Sequence, residues 1–376
     1  MQIMNDNRPE PAAWDYLRDM HRQNAESMIV GAEANGTFIE PAISFLLAEA
    51  LPVVVDANIL RNDIAYAVRH GKRTVLVTAT NARSLRLFCA SHVYEEVERH
   101  ADRWAEAMGL DPVEYRESWR QSYVPLLRRV STDGMEAMLT PEEFTRIERL
   151  RVDRDVDDVP SAILALVIGA FFLSEDAAPH EAVHGRKMSA AERCAWLPVI
   201  RHGGDSAELY RMVAIATAVP VLGVTGALYA VRALWTRAPA LLFVGAALAL
   251  AIATRVPRSR YAEAGSVALD VMTKFSTHVY EPYMQAVETF RGALPPFPGW
   301  DGLVEQTTRE AALARACCYR LARSRRTPMT ARELGRELPI PDIGRTPQHV
   351  GKVIRRYAAF FEPTYRRWQL GSSITS

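Results

Sequence analysis

The stretch LPVVVDANIL, residues 51–60, decides how this chain is read. Pro52 to Val55 make a short β-branched run, which suits a strand buried on both faces. The run stops on a carboxylate, Asp56, with the amide Asn58 two places on. An acid delivered by a buried strand costs desolvation, so it needs a partner or a task.

Outward from that strand, residues 51–180 alternate strand-like and helical runs, the pattern of an α/β unit with a parallel sheet flanked by helices. RLFCA (86–90) is the second expected strand, LLRRV (126–130) a third and AFFLS (170–174) the last. Residues 110–150 are polar and helical and read as an insertion or lid. In a parallel sheet the carboxyl ends of the strands share one edge, where active sites form.

Acids fall on that edge. Asp56 ends the first strand, and SHVYEEVERH after the second carries Glu95 and Glu96 beside the apolar Val93 and Val97. RVDRDVDDVPSAILALVIGA places Asp153, Asp155, Asp157 and Asp158 before an apolar helix, and FFLSED ends in Glu175 and Asp176. Taken singly, the glutamates suit a solvated helix face, and Asp157 and Asp158 suit a helix cap. Converging together, such carboxylates repel unless cations or raised pKa values relieve them. Oxygen ligands without Cys point to Mg2+ or Mn2+, which can activate water against a phosphodiester. His92, His180, His184 and His202 show no metal-ligand spacing with these acids.

These motifs, in this order, resemble a PIN domain, the nuclease fold of many toxin ribonucleases and RNA-processing factors. The resemblance covers about residues 50–180 and rests on VVVDANIL, LFCASHVYEEV, DDVPSAILALVIGA and FLSED. It implies Asp56, Glu96, Asp158 and Asp176 as catalytic, metal-binding acids, with Asp155, Asp157 or Glu175 as further candidate ligands. Asn58 and Ser174 would be supporting polar groups. It also implies Mg2+ or Mn2+ as cofactor, RNA as substrate, and a role as toxin or defence effector. An inhibitor protein or a second copy of the chain would be the further partners. Two departures stand: EDAAPH lacks an Asp two places after Asp176, and about fifty residues precede the first strand.

The rest of the chain differs in character. MVAIATAVPVLGVTGALYA (212–230) and APALLFVGAALALAIAT (238–254) carry no charge, and each approaches the ~20 residues of a membrane-spanning helix. A transmembrane hairpin is favoured over a buried helical hairpin, with Arg255, Arg258 and Arg260 placing its flanks on the cytoplasmic side. A soluble cytoplasmic protein is the other reading. The opening MQIMNDNRPEP has no apolar stretch, so no cleaved signal peptide is expected. The four cysteines lack any Cys-x-x-Cys pair and read as reduced thiols.

From Asp301 onward there are 14 Arg and Lys against 7 Asp and Glu, while residues 1–300 hold 31 against 37. A basic tail on an acidic body suits contact with nucleic acid or anionic lipid. REAALARACCYRLARSRR reads as a helix, TARELGREL opens with a capping box of Thr330 and Glu333, and TPQHVGKVIRRY starts at Thr346 with Pro347 following. FFEPTYRRWQLG reads as two strands and a turn. This order resembles a winged helix-turn-helix domain. It implies nucleic-acid contacts from Gln348, His349, Lys352, Arg355 and Arg356, and from Arg366 and Arg367 on the wing.

The expected organisation is a helical extension (1–49), a PIN-like domain (50–200), a hydrophobic hairpin (211–256), a helical linker (257–300) and a winged-helix domain (301–376). Two functions compete: a membrane-held, metal-dependent endoribonuclease, or a non-catalytic, membrane-associated DNA-binding regulator with a degenerate PIN-like module.

Overall fold

The computed structural model describes residues 50–81, 85–152, 156–189, 294–324, 328–338, 340 and 346–373. All of them belong to one compact unit; the other unit, Met1–Ser27, Leu46–Ala48 and His202–Thr289, lies outside the described residues. So do the expected N-terminal extension, both uncharged windows of the hairpin and most of the linker. Among the described residues no helix is long and apolar enough to cross a membrane.

The first strand, β1 (Leu51–Val55), is buried at every position. Helices α1 (Ala57–His70) and α2 (Val75–Asn81) lead to β2 (Leu85–Ala90). Helices α3 (Ser91–Ala107) and α4 (Pro112–Ser118) lead to β3 (Leu127–Val130). Helices α5 (Pro141–Val152) and α6 (Val159–Ile168) then return the chain to β4 (Phe171–Leu173), followed by α7 (Ala177–His184). These four strands are parallel, in the order β4, β1, β2, β3, with Val53 paired to both Phe171 and Leu87.

The expected strands are present within a residue or two. Residues 110–150 are not an insertion, however. They supply β3 and bury Tyr115, Trp119 and Tyr123, three aromatics at helical spacing that pack inward while their charged neighbours stay outside.

The C-terminal segment comprises α8 (Trp300–Gln306), α9 (Arg309–Arg323), β5 (Met329–Thr330), α10 (Ala331–Arg336), α11 (Pro347–Ile354), β6 (Phe360–Thr364), β7 (Arg367–Leu370) and β8 (Ser372–Ser373). The capping box of Thr330 and Glu333 forms, and Thr346 caps α11 with Pro347 in its first turn. β5, β7 and β6 make a small antiparallel sheet, and β8 joins the large sheet antiparallel to β3. Gly371 makes that joint feasible. Its φ is +68°, and a Cβ there would sit 2.7 Å from the Arg129 carbonyl oxygen.

One core runs through both halves. α6 is buried at every residue but Pro160, between the sheet and α9. α9 is itself buried from Ala311 to Arg323, arginines included. Each arginine has a defined acceptor: Arg315 pairs with Glu143 in two bonds of 2.6 and 2.9 Å and donates to the Leu166 carbonyl. Arg323 donates to the Ile168 and Gly169 carbonyls at the open end of α6, and Arg320 pairs with Glu337 at 2.9 Å. In return Arg86 of β2 donates to the Leu321 and Ser324 carbonyls at the end of α9.

Candidate metal centre

The strand order reverses between β1 and β4, so the loops leaving their carboxyl ends diverge and open a crevice. Asp56 is the first residue past β1 and is only 4% exposed. Its Oδ1 accepts the Ala57 N–H at 2.8 Å, capping α1, and its Oδ2 accepts the Ser174 hydroxyl at 2.8 Å. Ser174, first past β4, in turn accepts from the Asp176 N–H at 3.1 Å and the Asn58 amide at 3.3 Å. The Asn58 amide also donates to Asp176 Oδ2 at 2.6 Å, and its carbonyl accepts from the Glu175 N–H. His180 donates Nε2–H to the Ser174 carbonyl at 2.9 Å, bracing the same turn from below. The two loops are therefore locked to each other by side chains, which fixes where both acids point.

Asp158 arrives from a third direction, at the N-cap of α6, and makes no capping bond there. Carboxylate oxygens of Asp56, Asp158 and Asp176 lie within 4.8 Å of one another. Burial pushes the Asp56 carboxyl up to about 6. The bonds from Ser174 and Ala57 oppose this, and the charges of Asp176 and Glu96 add to it. Glu96 sits across the cleft on α3, beside the buried Val93 and Val97, and is half-buried. Its carboxyl is raised as well, chiefly by burial and further by Asp157. The cleft lined by Glu96, Asp158 and Asp176 has a volume of about 480 Å³.

The remaining expected ligands fall differently. Asp157 lines the cleft but is exposed and outside the group of three. Glu175 is turned to α1, where its Oε1 accepts from the Asn62 amide at 2.6 Å. Asp153 and Asp155 lie outside the described residues. The spacing of the sequence did not single out His92, Arg99 and His100, which line the same cleft. The signal was present: with Glu95 and Glu96 they recur at three- and four-residue steps along one face of α3.

An all-carboxylate set this close, with one buried member whose proton is held too tightly, fits a hard divalent cation. Residues 54–187 match the family model of the PIN domain. The matched span contains all three clustered aspartates and Glu96, and PIN domains are generally metal-dependent nucleases. No curated protein and no solved structure matches the chain.

The C-terminal segment lies beyond the matched PIN span. On α11, Gln348 and Lys352 are exposed and His349 is half-buried, while Val350, Val353 and Ile354 face the core; Arg355 and Arg356, exposed as well, lie in the turn that ends the helix. Arg356 pairs with Glu310. Arg366 holds a left-handed turn at φ 58°, and Arg367 donates to the Pro328 carbonyl at 3.0 Å.

Proposed function

We propose that this protein is an endoribonuclease that hydrolyses phosphodiester bonds with Mg2+ or Mn2+ held by Asp56, Asp158 and Asp176. The convergence of three carboxylates within 4.8 Å, inside the PIN-matching span, carries the reading. When bound, such a cation neutralises the cluster, lowers the pKa of water and offsets charge on the phosphate. The chain's own contribution is position. Ser174 and Asn58 hold Asp56 and Asp176 in register, so little reorganisation is needed when a cation arrives. Glu96, with its raised carboxyl on the opposite wall, is suited to accept the proton of an attacking water. The exposed cations of α11, of the turn after it and of the β6–β7 hairpin add a basic, nucleic-acid-binding face that directs the substrate.

The purified chain with Mn2+ or Mg2+ should cut labelled single-stranded RNA, and Asp56→Asn should abolish cutting while leaving the circular dichroism spectrum intact. Replacing Lys352, Arg355 and Arg356 with Ala should weaken RNA affinity and leave the cutting of saturating substrate in place. If wild type and Asp56→Asn are equally inert on RNA and DNA panels, the enzyme reading fails and a binding module takes its place.

A further inference from the structure

An acidic centre repels the phosphates it must receive, so cations have to stand close by. On α3 the charge changes sign within one turn. Glu95 and Glu96 are followed on the same face by Arg99 and His100, which line the cleft. Arg99 is exposed and forms no ion pair among the described residues. Arg61 approaches from α1, one turn beyond Asn58, and its backbone is anchored by the Tyr115 hydroxyl at 3.1 Å. Glu96 lies within electrostatic reach of the guanidinium groups of Arg61 and Arg99 and of the His100 ring.

Beyond them stands Trp104, half-buried, with its ring 5.9 Å from that of His100 and the Arg61 guanidinium 6.0 Å above it. From Glu96 to Trp104 the helix rises about 12 Å. The sequence along this face therefore runs from acids to cations to an aromatic surface. Cations that meet a backbone and rings that meet bases are the two parts of a single-strand binding groove. In a duplex the base faces are already stacked, so the aromatic surface would gain nothing from one.

We infer that the α3 face from Arg99 to Trp104, with Arg61 opposite, is the track by which a single RNA strand reaches the acidic centre. Arg61 and Arg99 take adjacent phosphates, and Trp104 with His100 takes the face of a base. This rests on the nuclease reading above.

The test uses the full chain with Lys352, Arg355 and Arg356 replaced by Ala, so that the C-terminal cations do not mask the track. Anisotropy of a labelled eight-nucleotide RNA, single-stranded or paired, is read in Ca2+ to limit turnover, and Mn2+ binding is measured by calorimetry. The parent should prefer the single strand. Arg61→Met with Arg99→Met should weaken single-strand binding by about tenfold and lower the salt slope by about 1.4, for two lost phosphate contacts. Trp104→Leu should weaken it by about fivefold or more, and Trp104→Phe should recover most of that. Mn2+ affinity should stay within about twofold throughout, since neither change removes a ligand. Should the leucine or methionine variants unfold, Arg99→Gln alone decides, because that side chain is exposed: it should weaken single-strand binding by about threefold and lower the salt slope by about 0.7.

Unchanged affinity and salt slope with Mn2+ still bound would overturn the track and leave the metal centre standing. Equal losses on single strand and duplex would overturn it in favour of a plain anion patch. A parent that binds no Mn2+ would overturn both readings.

Discussion

Asp56 sets the terms at the scale of a single residue. Its folded pKa of about 6 stands above the ordinary 3.8, because burial outweighs the bonds from Ser174 and Ala57. The fold thus favours its protonated form. The stability this contributes is whole below about 3.8 and is lost as pH rises through about 6. In metal-free protein at pH 7.5, Asp56→Asn should therefore raise the melting temperature, reflecting a relief of up to roughly 3 kcal/mol. A cation must displace that same proton. Mn2+ affinity measured by calorimetry should be level from pH 7 to 8 and fall about tenfold per unit below 6. A flat profile from 5 to 8 would mean that Asp56 is not a ligand. The sequence made Asp56 legible because a buried strand ending in an acid is a local anomaly. The place of Asp158 was less legible, since an acid before a helix is also an ordinary cap, and only the fold shows it uncommitted to capping.

At the scale of elements, α9 and two of the helices it touches, α5 and α6, show how a charged sequence can be core. Glu143 is buried. Burial would lift its carboxyl, but the bonds and charge of Arg315, with donors from Thr140, hold it below the usual range. Thr140 and Glu143 also bond each other's backbone N–H, at 2.8 and 3.3 Å, which closes the start of α5. Arg315→Met would leave that carboxylate buried and unpaired, so it should cost about 3–5 kcal/mol in urea unfolding. Adding Glu143→Gln should recover part of the loss by removing the stranded charge. A loss below about 1 kcal/mol for the single variant would mean the pair is solvated. The helicity of α9 was readable in REAALARACCYRLARSRR, although the helix stops at Arg323, short of the final arginines of that run. Its burial was not. Its arginines look solvent-facing in the sequence, and their partners lie 172 positions away at Glu143 and 155 at Ile168.

For the molecule as a whole, the PIN-matching span and the C-terminal segment are physically one body. β8 extends the sheet beside β3, Arg128 donates to Gln369 at 3.1 Å, and α9 covers the face of α6 that would otherwise meet water. Residues 50–189 expressed alone should therefore lack cooperative thermal unfolding and bind a hydrophobic dye, whereas the full chain should do neither. A cooperative melt for the fragment would show that the shared core is dispensable. The order of strands and the acids on their carboxyl edge could be read locally, but this docking joins surfaces that are each plausible as a separate domain's own core. It also has a consequence for timing. Arg128 and Gln369 are 241 positions apart, and Arg315 reaches back 149 positions to α6. On a ribosome the aspartates emerge long before the helix and strand that hold their scaffold together. The acidic cluster therefore takes its final geometry only once α9 and β8 have been made, and a nuclease of the kind proposed above would stay unassembled while the message for residues 190–370 was being read.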